Sequence, residues 1–184
     1  MLTPDWPLET ERLSIRPFEA GDLDALQAIH GNPSVARWLY NEPRSPEETR
    51  ALLERKIAGS ALVEEGDWLS GAATLRETGE LVGDLAMRLV SEPHRCVEVG
   101  YIISPAHGRC GFATEAADAL VRLAFDQFGM HRVIGRVEPR NLGSVRVLEK
   151  LGMRREAHFV ENEWVKDEWQ SELVFAILDR EWRR

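Results

Sequence analysis

Between Cys96 and Phe128 the chain reads CVEVGYIISPAHGRCGFATEAADALVRLAFDQF. A strand-like run, CVEVGYII, ends at Ser104-Pro105 and runs into a loop bearing Gly108 and Gly111. From Ala113, the residues Ala117, Leu120, Val121, Ala124, Phe125 and Phe128 fall on one face of a long helix, which Gly129 stops. A strand feeding a helix through such a loop leaves the helix's first N–H groups unpaired, at the positive end of its dipole. Glycine and other small residues let an anion reach those amides, so phosphate or diphosphate is the natural ligand. A plain tight strand-to-helix turn also uses glycine, and the loop alone leaves both readings open. It is not a Walker loop, because no Gly-Lys-Ser/Thr follows, and it lacks the three-glycine dinucleotide fingerprint.

The flanking segments predict what surrounds this unit. RLSIRPF (Arg12–Phe18) alternates like a first strand. DLDALQAIH spaces Leu23, Leu26 and Ile29 as on a helix, with Asp22 as N-cap. Ser45-Pro46-Glu47-Glu48 opens a second helix that runs to about Ala58. Trp68–Arg76 and Leu81–Leu89 form a hairpin about Thr78-Gly79. Arg132–Val137 is a short strand, and Leu142–Leu151 is a helix ended by Gly152. Arg154–Val160 and Ser171–Leu178 close the chain as a hairpin across the acidic loop NEWVKDEW. That order gives a mixed α/β sheet with helices on both faces. No repeat or linker interrupts it, so one domain over residues 1–184 is expected.

Composition excludes several classes. With 31 carboxylates against 23 Lys and Arg the formal charge is -8, which disfavours broad nucleic-acid binding and suits a cationic molecule or basic protein as partner. No apolar run approaches the ~20 residues that span a bilayer, and the acidic N-terminus has no secretory h-region. Cys96 and Cys110 form neither a disulfide framework nor a metal spacing, as expected of reduced thiols in a cytoplasmic protein. His30, His94, His107, His131 and His158 likewise lack ligand spacing, so no metal is expected.

Three segments in order carry a resemblance: LETERLSIRPFEAGD at 8–22, VEVGYIISPAHGRCGFATEAADAL at 97–120, and VEPRNLGSVRVLEKLGMRRE at 137–156. The chain resembles the GNAT superfamily of acyl-CoA-dependent N-acetyltransferases, especially its ribosomal-protein N-terminal acetyltransferase (RimJ/RimL-like) branch. The resemblance implies an α/β (α+β) fold: a mixed, mostly antiparallel sheet of six to seven strands flanked by helices. Two central parallel strands, Glu98–Ile103 and Arg132–Val137, would splay at their C-terminal ends. Acetyl-CoA would lie in the gap as co-substrate, its pantetheine bonded to backbone near Ile102 and Ile103 and contacted by Asn141. Its pyrophosphate would sit on the loop from Gly108 through Arg109, Cys110, Gly111, Phe112 and Ala113 to Thr114. The family's loop usually carries Gln or Arg where this chain has Gly108, with Arg109 one place late. Either the two residues have exchanged or Cys110 is an insertion; amide contacts survive both.

The implied reaction is direct attack of a primary amine, on a protein N-terminus or a small molecule, upon the thioester in a ternary complex. A mostly protonated amine needs a base. Glu98 lies where many members carry a carboxylate base acting through water; its other reading is a solvent-facing or arginine-paired strand residue. Glu163, in the acidic segment, is a second candidate for base, or a loop carboxylate. Asn141 is a good N-cap for LGSVRVLEK with Ser144 at N3, and the resemblance also makes Ser144 the acid. The Tyr that many members use as acid is here Leu148. Trp38 and Tyr40 line the acceptor pocket or belong to the core. A non-catalytic acyl-CoA-binding module is the alternative to an enzyme, and either a monomer or a homodimer fits.

Overall fold

The computed structural model describes residues 1–182. The strands are β1 (Leu8–Glu9), β2 (Leu13–Arg16), β3 (Trp68–Leu75), β4 (Leu81–Ser91), β5 (Cys96–Ile103), β6 (Arg132–Val137), β7 (Arg154–Val165) and β8 (Glu168–Leu178). The helices are α1 (Leu23–His30), α2 (Pro33–Ala36), α3 (Pro46–Ala58), α4 (Phe112–Arg122), α5 (Leu142–Lys150) and α6 (Asp179–Trp182). One sheet runs in the order β1-β2-β3-β4-β5-β6-β8-β7. Every neighbouring pair is antiparallel except β5 and β6. The eighth strand, β1, is two residues long, too short to show a period in the sequence.

Each face of the sheet has its own helical layer. On one, Ala117, Leu120, Val121 and Ala124 pack with Val147 and Leu148 of α5 and Leu151 just beyond it against Leu85, Met87, Val97 and Val99. On the other, Leu26 and Ile29 of α1 and Leu53 of α3 pack on Phe18, Ala72 and Leu81. A π-type turn over Leu123–Gln127 carries α4 onward. Among the described residues no helix is long and apolar enough to cross a membrane.

Local chemistry sets the boundaries. Ser45 and Glu48 close a reciprocal capping box on α3, with Pro46 as first helical residue. Asp22 precedes α1 but does not cap it with its side chain. Its carboxylate instead accepts the Glu19 amide and takes both Arg16 guanidinium nitrogens, at 2.8 and 2.9 Å, because a bidentate charged pair outcompetes a neutral cap. The expected acidic loop before the last strand is strand almost throughout. Lys166 and Asp167 both take left-handed backbone, φ 51 and 59, forming a two-residue hairpin turn that leaves the flanking residues free to pair.

Candidate active site

The parallel ladder between β5 and β6 is short: Cys96 with Arg132, Val97 with Val133, Glu98 with Ile134. Beyond Glu98 the two strands part, each held by its outer neighbour. β5 stays paired with β4 as far as Ile103, opposite Gly83, and β6 stays on β8 as far as Val137, opposite Leu173. The cleft therefore opens between Val99–Ile103 and Gly135–Val137, and past Glu98 the β6-facing edge of β5 has no strand partner. Ile102 and Ile103 sit half-buried on that edge. Gly135 lets α5 close on β6, since a Cβ there would lie 2.7 Å from Leu148 Cδ2.

The glycine loop lies at the end of β5. Among the described residues no acceptor meets the N–H groups from Arg109 through Thr114. Gly111, the residue before α4, has φ 86 and no side chain to cap the helix. Gly108 takes ordinary extended backbone, φ -63, whereas Arg109 is left-handed at φ 65. The arginine thus occupies the conformation that suits glycine, as an exchange of the two would leave it. Arg12, just before β2, braces the loop. Its guanidinium donates to the Cys110 carbonyl at 2.9 Å, pairs with Glu115 at 2.6 Å, and lies 4.5 Å from the Phe112 ring centroid. Burial would push the Glu115 carboxyl up. The Thr10 hydroxyl and the Arg12 amide and guanidinium outweigh it and hold the carboxyl below its usual value.

Asn141 Oδ1 accepts the Ser144 amide at 3.2 Å, so Asn141 caps α5 as the sequence predicts. Tyr101, next to the open edge, donates to the Ser144 carbonyl at 3.2 Å and ties β5 to the start of α5. Burial pushes the ionisation of Tyr101 up, so it stays a neutral donor. Strand alternation puts Tyr101 on the Val97–Val99 face and Glu98 on the other. Ser144 and Glu98 accordingly reach the cleft from opposite sides of the sheet.

Glu98 stands at the fork, its side chain only 17% exposed. Burial pushes its carboxyl up, Arg136 and Arg88 oppose this, and the charge of Glu172 adds to it. Arg136 of β6 lies 3.6 Å from Glu98 but 2.9 Å from Glu172 of β8. Glu163 lies in β7, not in a loop, and accepts the Tyr40 hydroxyl at 2.7 Å. Desolvation of that hydroxyl and the Glu163 carboxylate raise the ionisation of Tyr40, with further contributions from Glu172 and Glu98. The two expected bases therefore share one mouth. Tyr40 is 71% exposed and Trp38 half-buried, so neither belongs to the core. Beside them a groove of about 420 Å³ is lined by Trp38, Glu42, Arg140, Lys166, Glu168 and Gln170. Gln170 is the ladder partner of Glu163.

A splayed parallel pair ending in a bare amide loop has counterparts among known proteins. The family model for the acetyltransferase (GNAT) domain matches residues 12–154. The chain belongs to the GNAT acetyltransferase family. As a GNAT member it is an acyl-CoA-dependent N-acetyltransferase, an enzyme rather than a bare binding module. The uncharacterised N-acetyltransferase YnaD of Bacillus subtilis is 29% identical over 175 residues, 95% of this chain and 98% of that one. A crystal structure of a GNAT-family acetyltransferase from Bacillus anthracis superposes with TM-score 0.87 at 29% identity, covering 95% of this chain and 99% of the other. Spermidine N-acetyltransferase from Vibrio cholerae, crystallised with CoA and spermine, shares the fold with TM-score 0.80 at 23% identity, over 95% and 100% of the two chains.

Residue roles in this GNAT chain are a separate matter from its membership. Arg136, Glu172, Tyr101 and the Arg12–Glu115 brace escape the sequence reading. The available signal for Glu172 was a lone charge next to the apolar run Leu173–Leu178.

Proposed function

We propose that this chain transfers the acetyl group of acetyl-CoA to a primary amine by direct attack within a ternary complex. The observation that carries the proposal is the fork after Glu98–Ile134, with the unpartnered amides of residues 109–114 beyond it. The diphosphate of CoA binds those amides and the N-terminus of α4. Its pantetheine pairs with the free edge of β5 at Ile102 and Ile103, and Asn141 contacts it from α5. Thus anchored, the thioester points towards Glu98.

The acceptor enters from the mouth lined by Tyr40, Glu98, Glu163 and Glu172. Three carboxylates support a cationic amine as acceptor. Glu98, through a water, takes the proton that the ammonium must lose. Its desolvated carboxyl is better suited to this than the half-buried carboxylate of Glu163, which is committed to Tyr40. The amine nitrogen then bonds to the carbonyl carbon, the C–S bond breaks and the thiolate of CoA leaves; Ser144 protonates the thiolate and is reprotonated by the second proton that the nitrogen sheds on becoming an amide. A backbone N–H of the free β5 edge steadies the oxyanion.

The segment LETERLSIRPF supports placement in the ribosomal-type branch, with a protein N-terminus as acceptor. The acidic mouth equally suits a small amine, and spermidine N(1)-acetyltransferase of Vibrio cholerae is a relative at 24% identity. Free Cys96 and Cys110 support a cytoplasmic setting. The residues named lie around one sheet, which supports one domain over residues 1–184, acting as a monomer or within a homodimer.

Incubation with acetyl-CoA and a panel of peptides, diamines and monoamines, following free thiol, tests the proposal. Thiol release that depends on one class of acceptor is expected. Tight CoA binding with no acceptor-dependent release across the panel would overturn it.

A further inference from the structure

Glu172 makes or moves no bond or proton in the reaction just described, yet it is only 6% exposed and holds Arg136 beside the fork. Its Oε1 accepts from Arg136 Nη1 at 2.9 Å, while Arg136 Nε stops 3.6 Å short of Glu98 Oε2. The guanidinium is therefore committed to Glu172 and makes no close hydrogen bond to Glu98. The other charged or titratable groups around Glu98 are few. Arg88 of β4 is its ladder partner and lies 5.8 Å from the Trp68 ring centroid. Cys96 sits two residues away, its thiol pushed up by burial. Tyr40 and Glu163 stand across the mouth.

We propose that Glu172 is a positioning residue that holds the Arg136 guanidinium at 3.6 Å from Glu98 and out of a hydrogen bond to it, leaving Glu98 fit to take up a proton. The purpose rests on the reading of Glu98 as base; the charge coupling does not. At 3.6 Å the guanidinium already lowers the proton affinity of Glu98, and a direct hydrogen bond would lower it further and make Glu98 a weaker base at neutral pH. Replacing Glu172 with Gln acts twice in one direction. It removes a negative neighbour, and it releases the guanidinium towards Glu98.

The test is a ¹³C NMR titration of the glutamate side-chain carboxyls, with the Glu98 signal identified by its loss in Glu98→Gln. In Glu172→Gln the Glu98 midpoint should fall by about one pH unit. In Arg136→Gln it should rise, and in Glu172→Asp, which can still hold the guanidinium, it should stay near the parent. An unmoved or higher midpoint in folded Glu172→Gln overturns the proposal, whatever role Glu98 has. The acid limb of kcat/KM, measured on the same variants, should move in step with the midpoint. A limb that ignores a moving midpoint removes Glu98 as base, and with it the purpose assigned to Glu172. A purely structural Glu172 would lower activity at every pH and move neither quantity.

Discussion

At Glu98 the last rung of the parallel ladder meets the first open position of the cleft, and burial raises its carboxyl where a base is wanted. Alternation in CVEVGYII put Glu98 on the face opposite Val97 and Val99, while its candidacy as base came from the family resemblance. Arg136 and Glu172 were not legible. They meet only because β6 pairs with β8, which brings together residues 36 apart in sequence. Glu163 was legible as a charge but not as a strand residue, since the left-handed pair at Lys166 and Asp167 carries no glycine to announce a tight turn. The base assignment predicts that Glu98→Gln lowers kcat by about a hundredfold near neutral pH. The loss should shrink towards about pH 10, where a typical amine sheds its own proton. Steady-state rates across pH check this, and a loss that does not vary with pH would remove the assignment.

At the scale of elements, the mouth depends on how α1 and α3 are docked. Asp84 of β4 is fully buried and takes His30 of α1 and Lys56 of α3, both at 2.7 Å. The His30 carbonyl also accepts the Arg44 amide, which ties down the segment carrying Trp38 and Tyr40. Burial alone would push the Asp84 carboxyl up; Lys56 and the His30 hydrogen bond outweigh it and hold it below the usual range. The sequence showed both helices and the strand, but nothing in their spacing paired these three side chains. Asp84→Asn leaves Lys56 buried without its counter-charge and should cost about 3–5 kcal/mol at neutral pH. Because the folded carboxyl lies below its unfolded value, its stabilisation is present at neutral pH. It is lost as the pH falls below about 4. Urea unfolding should therefore show a gap between parent and variant that narrows in acid. A gap of constant size would mean that Asp84 acts by shape and not by charge.

At the scale of the whole molecule, one topological fact makes the cleft. Among the described residues the only parallel pair in the sheet has an antiparallel neighbour on each outer side, so β5 and β6 can part without either losing its place. The sequence disclosed the order of strands and helices and the glycine loop, because each is a local pattern. It did not disclose where the ladder stops, which depends on twist and packing around Gly135 and Leu148. The central claim is that the bare amides before α4 grip the diphosphate of CoA. Calorimetric titration of CoA into the parent, Gly111→Asn and Gly111→Asp tests it most directly. Both side chains tolerate left-handed backbone comparably, and an aspartate there would lie near Arg12, whose Nη2 is 3.3 Å from the added Cβ. Paired with Arg12, the aspartate variant should melt no lower than the asparagine variant, so weaker CoA binding in it is not a folding defect. The account predicts that Gly111→Asp binds CoA about a hundredfold more weakly than Gly111→Asn, close to 2.7 kcal/mol. Equal affinities for the two folded variants would contradict it.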